Sequence, residues 1–125
     1  MNENELERNK YDLEERTFEL ASKVRVFVKA ILKNSINQED IKQLLRSSGS
    51  VGANYIEANE ALSEKDFIHR IKICRKEAKE SRFWLRLLYV GDDSNIIKER
   101  DKLIQEALEL TKIFGKIINN KASSQ

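Results

Sequence analysis

The chain has 125 residues, of which 40% are hydrophobic and 35% charged, with no proline, four glycines and a formal net charge of +2. This length suits a single domain, residues 1–125, and the lack of both proline and alternating Val/Thr-rich runs favours helices over a sheet. A single cysteine excludes an intrachain disulfide, and neither a signal peptide nor a run of about 18 apolar residues is found, so we expect a cytoplasmic protein.

Charge is distributed unevenly along the chain. Residues 1–20 contain seven acids and three bases, whereas residues 69–86 contain seven bases and two acids. A near-neutral total therefore hides one acidic and one strongly basic segment, which predicts a molecule with a distinct basic element.

The first predicted helix begins at Tyr11, after a tail, residues 1–10, that we expect to be loose. Apolar side chains recur at steps of three and four from Leu13 to Ile31, which is the spacing of a core-facing helix surface. Phe18 is expected to widen this apolar surface.

The second predicted helix follows a break at residues 34–37 and ends near residue 61. Asn37 is its predicted N-cap, because Asp40 stands three residues later in the position of a capping-box acid. Gly49 and Gly52 lie inside this helix, where each glycine costs about 1 kcal/mol relative to alanine. They indicate either close approach of a neighbouring helix or a kink.

The third predicted helix has the clearest periodicity in the chain, and Ser63 is its predicted cap. Its apolar residues alternate by four and three over three heptads, and this seam consists of Phe67, Ile71, Cys74, Ala78, Ser81, Leu85 and Leu88. Phe83 and Trp84 lie outside the seam, so the helix is apolar on a second side. This second side indicates either a central position of the helix or an oligomer contact. The two aromatic residues could stack on bases, but we favour the interpretation that they form a contact between subunits.

The fourth predicted helix follows a turn at residues 91–95 and ends before a second loose tail, residues 119–125. Four helices joined by short turns are typical of an all-α, antiparallel up-down-up-down four-helix bundle.

A basic stripe beside the seam of the third helix is the strongest functional signal. It consists of Lys72, Arg75, Lys79, Arg82 and Arg86, which share one side of the helix because they are spaced by three and four residues. Such a stripe fits phosphates of RNA or DNA. The alternative is a solvated surface whose cations pair locally with Glu77 and Glu80.

Other chemistry is not indicated by the sequence. Cys74 lies on the apolar seam and is interpreted as a small core residue. One histidine, His69, cannot supply the paired Glu-x-x-His motifs of a di-metal bundle, and no Gly-rich phosphate loop or nucleophile elbow occurs. We therefore predict no cofactor, no metal site and no enzyme activity.

Several motifs resemble those of a known family. They are LLRSSGSVGANYIEA at residues 44–58, KDFI at 65–68, KEAKES at 76–81, and the apolar residues Trp84, Leu85, Leu87 and Leu88. With these motifs the chain resembles the bacterial four-helix bundle family that includes proteins encoded in 23S ribosomal RNA intervening sequences. It is more distantly similar to the accessory variability determinant proteins of diversity-generating retroelements. Ala58 in place of a glycine, and Lys76-Glu77 in place of Gly-Ser, are consistent with a separate branch.

The resemblance implies an antiparallel four-helix bundle in a ring-like homo-oligomer, commonly a pentamer, without known enzyme activity. Nucleic-acid binding is the usual suggestion for the family, and the retroelement relatives work with a reverse transcriptase. The sequence thus predicts a homo-oligomeric accessory protein that binds RNA or DNA without sequence specificity. The alternative is a structural scaffold whose partner is another protein.

Overall fold

Four long helices make up nearly all of the chain in a computed structural model, which describes residues 3–31 and 34–123, with side chains described for 13–31 and 34–121. The helices are α1 (Glu3–Ala30), α2 (Ser35–Asn59), α3 (Glu64–Leu87) and α4 (Ser94–Ser123). Helix α3 packs extensively on both α2 and α4, whereas α1 and α4 share the least extensive contact. This arrangement confirms the predicted up-down-up-down bundle.

The outer two helices are longer than predicted. Helix α1 begins at Glu3 rather than Tyr11, and α4 continues to Ser123. Residues 3–10 contain Glu, Leu, Arg and Lys, and residues 119–123 contain Lys and Ala. All of these are good helix formers, so each helix extends beyond its predicted end. Residues 1–2 and 124–125 of the predicted tails lie outside the described residues.

The start of α2 differs from the prediction. Asn34, not Asn37, is the N-cap, and its side chain accepts a hydrogen bond from the Asn37 backbone N–H at 2.8 Å. Asn37 is fully buried instead, where its amide donates to the Tyr89 carbonyl at 2.8 Å and accepts from the Tyr89 N–H at 3.1 Å. The predicted cap was wrong because the Asn37 side chain forms hydrogen bonds with the backbone of Tyr89, which follows α3.

The predicted cap and apolar seam of α3 are confirmed. Ser63 caps the helix by accepting a hydrogen bond from the Asp66 N–H at 3.1 Å. All members of the seam from Ile71 to Leu88 are buried, and Phe67 packs partly buried against the same core.

The two glycines of α2 mark its approach to α1. A Cβ atom on Gly52 would lie 3.1 Å from Thr17 Oγ1, and one on Gly49 would lie 3.4 Å from Arg25 Nη2. Close helix approach is therefore confirmed. Phe18, however, is 65% exposed and does not widen the core, because a residue two positions before Leu20 points about 200° away from it around the helix.

Within the described ranges, no helix combines the length and the apolar character needed to cross a lipid bilayer.

Candidate functional site

The basic stripe follows the side of α3 that is turned toward α4. A Cβ atom on Gly115 of α4 would lie 3.8 Å from Arg75 Cδ, so this arginine extends along the groove between the two helices. Arg75 and Arg82 are half-buried, while Lys72, Lys79 and Arg86 are exposed. The heptad seam on one side of α3 places all five cations on one continuous flank of the bundle.

The described part of the chain supplies no counter-charge to the stripe. Among the described side chains, none of its five cations forms an ion pair. Glu77 and Glu80 are turned toward α2, where Arg46 Nη1 lies 3.1 Å from Glu77 Oε2 and Arg46 Nη2 lies 2.5 Å from Glu80 Oε1. The predicted pairing of these two acids with the stripe was therefore wrong, whereas the alternative of a solvated surface stays open.

Arg46 holds both carboxylates on the α2 side of α3. Its hydrogen bond lowers the pKa of Glu80, which also accepts a hydrogen bond from the Trp84 indole N–H at 3.3 Å. Glu80 thus stays ionised and engaged on the side away from the stripe. Sequence reasoning missed this role of Arg46, since nothing in the spacing of residues 46, 77 and 80 indicates that they meet.

Arg82 has a donor atom that the described part of the chain leaves unpaired. Its Nε atom is buried and has no hydrogen-bond partner among the described residues. A buried donor without an acceptor costs about 1–3 kcal/mol, so this side chain is not held in place by an internal network.

An apolar surface borders the stripe on its other edge. Phe83 is 52% exposed and Leu87, one turn later, is 50% exposed. Trp84 is only half-buried, and its ring packs edge-on against Phe83 with centroids 5.1 Å apart. Of the two aromatic residues predicted as a subunit contact, Phe83 is thus the more accessible, and Leu87 extends the surface.

The one cysteine is confirmed as a core residue. Cys74 is fully buried in the seam, and burial raises the pKa of its thiol to about 12. Such a thiol is protonated at neutral pH and is a poor nucleophile. Across the part of the chain that the structure describes, no three His, Cys, Asp or Glu side chains are grouped so as to hold a metal ion.

Comparisons with known proteins agree with this architecture. A sequence profile of the 23S rRNA-intervening sequence protein family matches residues 9–119. Among solved structures, the chain is similar to a protein of unknown function from the S23 ribosomal protein family of Bacteroides thetaiotaomicron VPI-5482. The two chains are 29% identical with a TM-score of 0.71, and the match covers 85% of this chain and 97% of the other. No curated protein matches.

Proposed function

This chain belongs to the 23S rRNA-intervening sequence protein family, and from that premise we propose that it is a non-enzymatic homo-oligomer that binds the phosphate backbone of RNA or DNA. The observation that carries the proposal is a basic stripe whose cations form no ion pair with the residues that the structure describes. Its cations are Lys72, Arg75, Lys79, Arg82 and Arg86.

The dimensions of the stripe suit a nucleic-acid strand. From Lys72 to Arg86 it extends about 21 Å along the helix axis, which is about the rise of six nucleotides in one strand of a duplex. Three of its five cations are arginines, whose planar guanidinium matches phosphate geometry. Contacts of this kind add affinity without reading base sequence, so we expect little sequence specificity.

Self-association is the second part of the proposal. An exposed Phe83 and Leu87 on one helix surface, with Trp84 beside them, form an apolar surface of the kind that subunit contacts cover. The family resemblance suggests a ring of five copies as the assembly to test first.

Binding of a labelled 20-nucleotide RNA, followed by fluorescence anisotropy at increasing salt, tests the stripe. Five phosphate contacts predict a fall in affinity of about 100- to 500-fold between 50 and 200 mM salt. A Lys72→Glu/Lys79→Glu variant is expected to bind at least about tenfold more weakly and with a smaller salt dependence, because it loses two contacts and adds repulsion. Both lysines are exposed, so the fold should be retained.

The matched control is Lys29→Glu/Lys42→Glu. These lysines are also exposed and form no ion pair within the described residues, but they lie on α1 and α2, away from the stripe. This variant has the same net charge as the first and should bind nearly as well as the unmodified protein. Equal losses in both variants would mean that only total charge matters. Absence of RNA and DNA binding by an assembled protein would favour the scaffold alternative.

A further inference from the structure

A second apolar surface lies where α1 and α2 approach each other most closely. Thr17 meets Gly52 across this contact, so the next residue of each helix, Phe18 and Ala53, lies on its outer side. Ile56, one turn after Ala53, is 56% exposed, and Phe18 is 65% exposed. We call Phe18, Ala53 and Ile56 the α1–α2 patch.

One end of the α1–α2 patch has an acidic border. At the other end Arg25 lies two turns after Phe18 and donates a hydrogen bond to the Leu45 carbonyl at 3.4 Å. Glu14 and Glu15 precede Phe18 by one helical turn, and Glu60 follows Ile56 by one turn. All three side chains are exposed, and within the described residues none of them forms an ion pair. Glu14 accepts a hydrogen bond from the Asn59 amide at 3.0 Å, which keeps its carboxylate on this side of the bundle.

The α3 patch, formed by Phe83 and Leu87, has a basic border. Lys79 and Arg86 flank Phe83 at one helical turn on either side, and both are exposed without an ion pair in the described part of the chain. Lys76, two turns before Phe83, is likewise exposed. The one acid beside Phe83 is Glu80, whose charge is already engaged by Arg46.

We propose that the α1–α2 patch of one copy of this chain docks on the α3 patch of the next copy. The inference rests on the self-association proposed above and names the two surfaces that meet. It buries both apolar patches at once and sets an acidic border against a basic one. Contact between two α3 patches would instead oppose the cations around Phe83 with their own copies, which is unfavourable.

This contact is head-to-tail, because two different surfaces meet. After one contact each copy still has one unused patch, so further copies can add. The assembly is a closed ring if the rotation between neighbouring copies closes, and an open filament if it does not. Arg75 packs beside Gly115 of α4, on the side of α3 away from the α3 patch, and therefore lies outside the proposed contact.

Mixing two variants tests the pairing directly. Phe18→Ser/Ile56→Ser removes the α1–α2 patch and Phe83→Ser/Leu87→Ser removes the α3 patch, and all four residues are half or more exposed. By light scattering, the unmodified protein should be assembled, and each variant alone should have the 14.6 kDa mass of one chain. An equimolar mixture should give twice that mass and no more, because only one productive contact remains.

The matched control is Val26→Ser, which removes an apolar side chain that is 67% exposed on α1 but outside both patches, and it should assemble normally. A second pair guards against loss of folding. Glu14→Lys/Glu15→Lys and Lys76→Glu/Lys79→Glu keep the apolar residues, and each should be monomeric alone yet associate with the other.

Two results would overturn the inference and leave self-association standing. One is an assembled Phe18→Ser/Ile56→Ser protein, and the other is a mixture that stays monomeric. A monomeric unmodified protein would instead contradict both the proposed homo-oligomer and the pairing. RNA binding by the two serine variants, which keep all five cations of the stripe, reports on the stripe independently of assembly.

Discussion

The thiol of Cys74 offers a direct probe of how tightly the seam of α3 is closed. Burial raises its pKa from 9.0 to about 12, which makes the thiolate about 1,000-fold rarer near pH 8. We expect a disulfide reagent to label the native protein at least about 1,000-fold more slowly than the urea-unfolded protein. Rapid labelling under native conditions would show that the seam opens on its own.

Asn37 is expected to contribute strongly to stability, although it is a polar residue near a helix end. Replacement by alanine removes two hydrogen bonds to the Tyr89 backbone and should lower the free energy of unfolding by about 1–3 kcal/mol. Asn95→Ala, at an exposed position near the start of α4, should change it by less than about 0.5 kcal/mol. Urea unfolding measures both, and similar values for the two variants would contradict this role.

The same residue marks a limit of sequence reasoning. Asn34 and Asn37 are both good caps by residue type, and local spacing favoured the second. The choice depends on Tyr89, which is 52 positions away and whose backbone needs an amide partner. A tertiary contact of this kind leaves no periodic signal in the sequence.

At the level of helix pairs, the two glycines of α2 should respond in opposite directions to alanine. Gly49→Ala is expected to raise the free energy of unfolding by about 0.5–1 kcal/mol, because alanine favours the helix and the Arg25 end group can move away. Gly52→Ala should lower it, because the added Cβ would press on Thr17, whose hydroxyl is buried and bonded to the Leu13 carbonyl at 2.7 Å. Urea midpoints compare the two. Equal stabilisation by both would contradict the close approach.

The tie between α2 and α3 should be sensitive to acid. The hydrogen bond from Arg46 lowers the pKa of Glu80 below its ordinary 4.5, so its stabilisation is fully present above that value. It is lost as the pH falls through the lowered pKa. Unmodified protein should therefore be more stable than Glu80→Gln at neutral pH, and the difference should vanish in acid. Urea unfolding of both proteins across this range is the measurement, and a difference independent of pH would contradict it.

Helix α3 shows what periodicity reveals and what it omits. Its seam and the position of its basic stripe follow from a strict alternation of four and three, so both were predictable from the residues. The ion-pair partner of Glu77 was not predictable. A glutamate beside a cation on one helix looks the same in the sequence whether it pairs with that cation or with Arg46 of another helix. Only the structure shows that Glu77 pairs with Arg46 and not with a cation of the stripe.

At the scale of the whole molecule, the sequence shows that residues 1–20 are acidic and residues 69–86 are basic. It does not show that exposed apolar residues lie beside these charges. Phe18 was assigned to the core by its place in an apolar run, yet it is exposed beside acids, as Phe83 is beside bases. Both of these exposed aromatic residues lie on surfaces that we propose for contact between copies. Residues that break the core pattern are therefore the informative ones here.

The packing also predicts an order of local opening. Helix α3 lies between α2 and α4 with extensive contact on both sides, whereas α1 meets α4 least extensively. A bidentate pair ties α1 to α4, with Arg16 Nε and Nη2 each 2.8 Å from the Glu106 carboxylate. Backbone amides of α1 should therefore exchange with deuterium before those of α3, because opening α1 exposes less buried surface.

Removal of the Arg16–Glu106 ion pair should widen the difference in exchange rate between α1 and α3. In Arg16→Met, α1 is expected to exchange faster still, while the central turns of α3 keep their protection. Lys23→Met is the matched control, since Lys23 is exposed and pairs with Glu19 of its own helix. Hydrogen exchange read peptide by peptide in a mass spectrometer distinguishes the helices. If all four helices exchanged together in both variants, the bundle would open as one cooperative unit. Opening would then not start at the contact between α1 and α4.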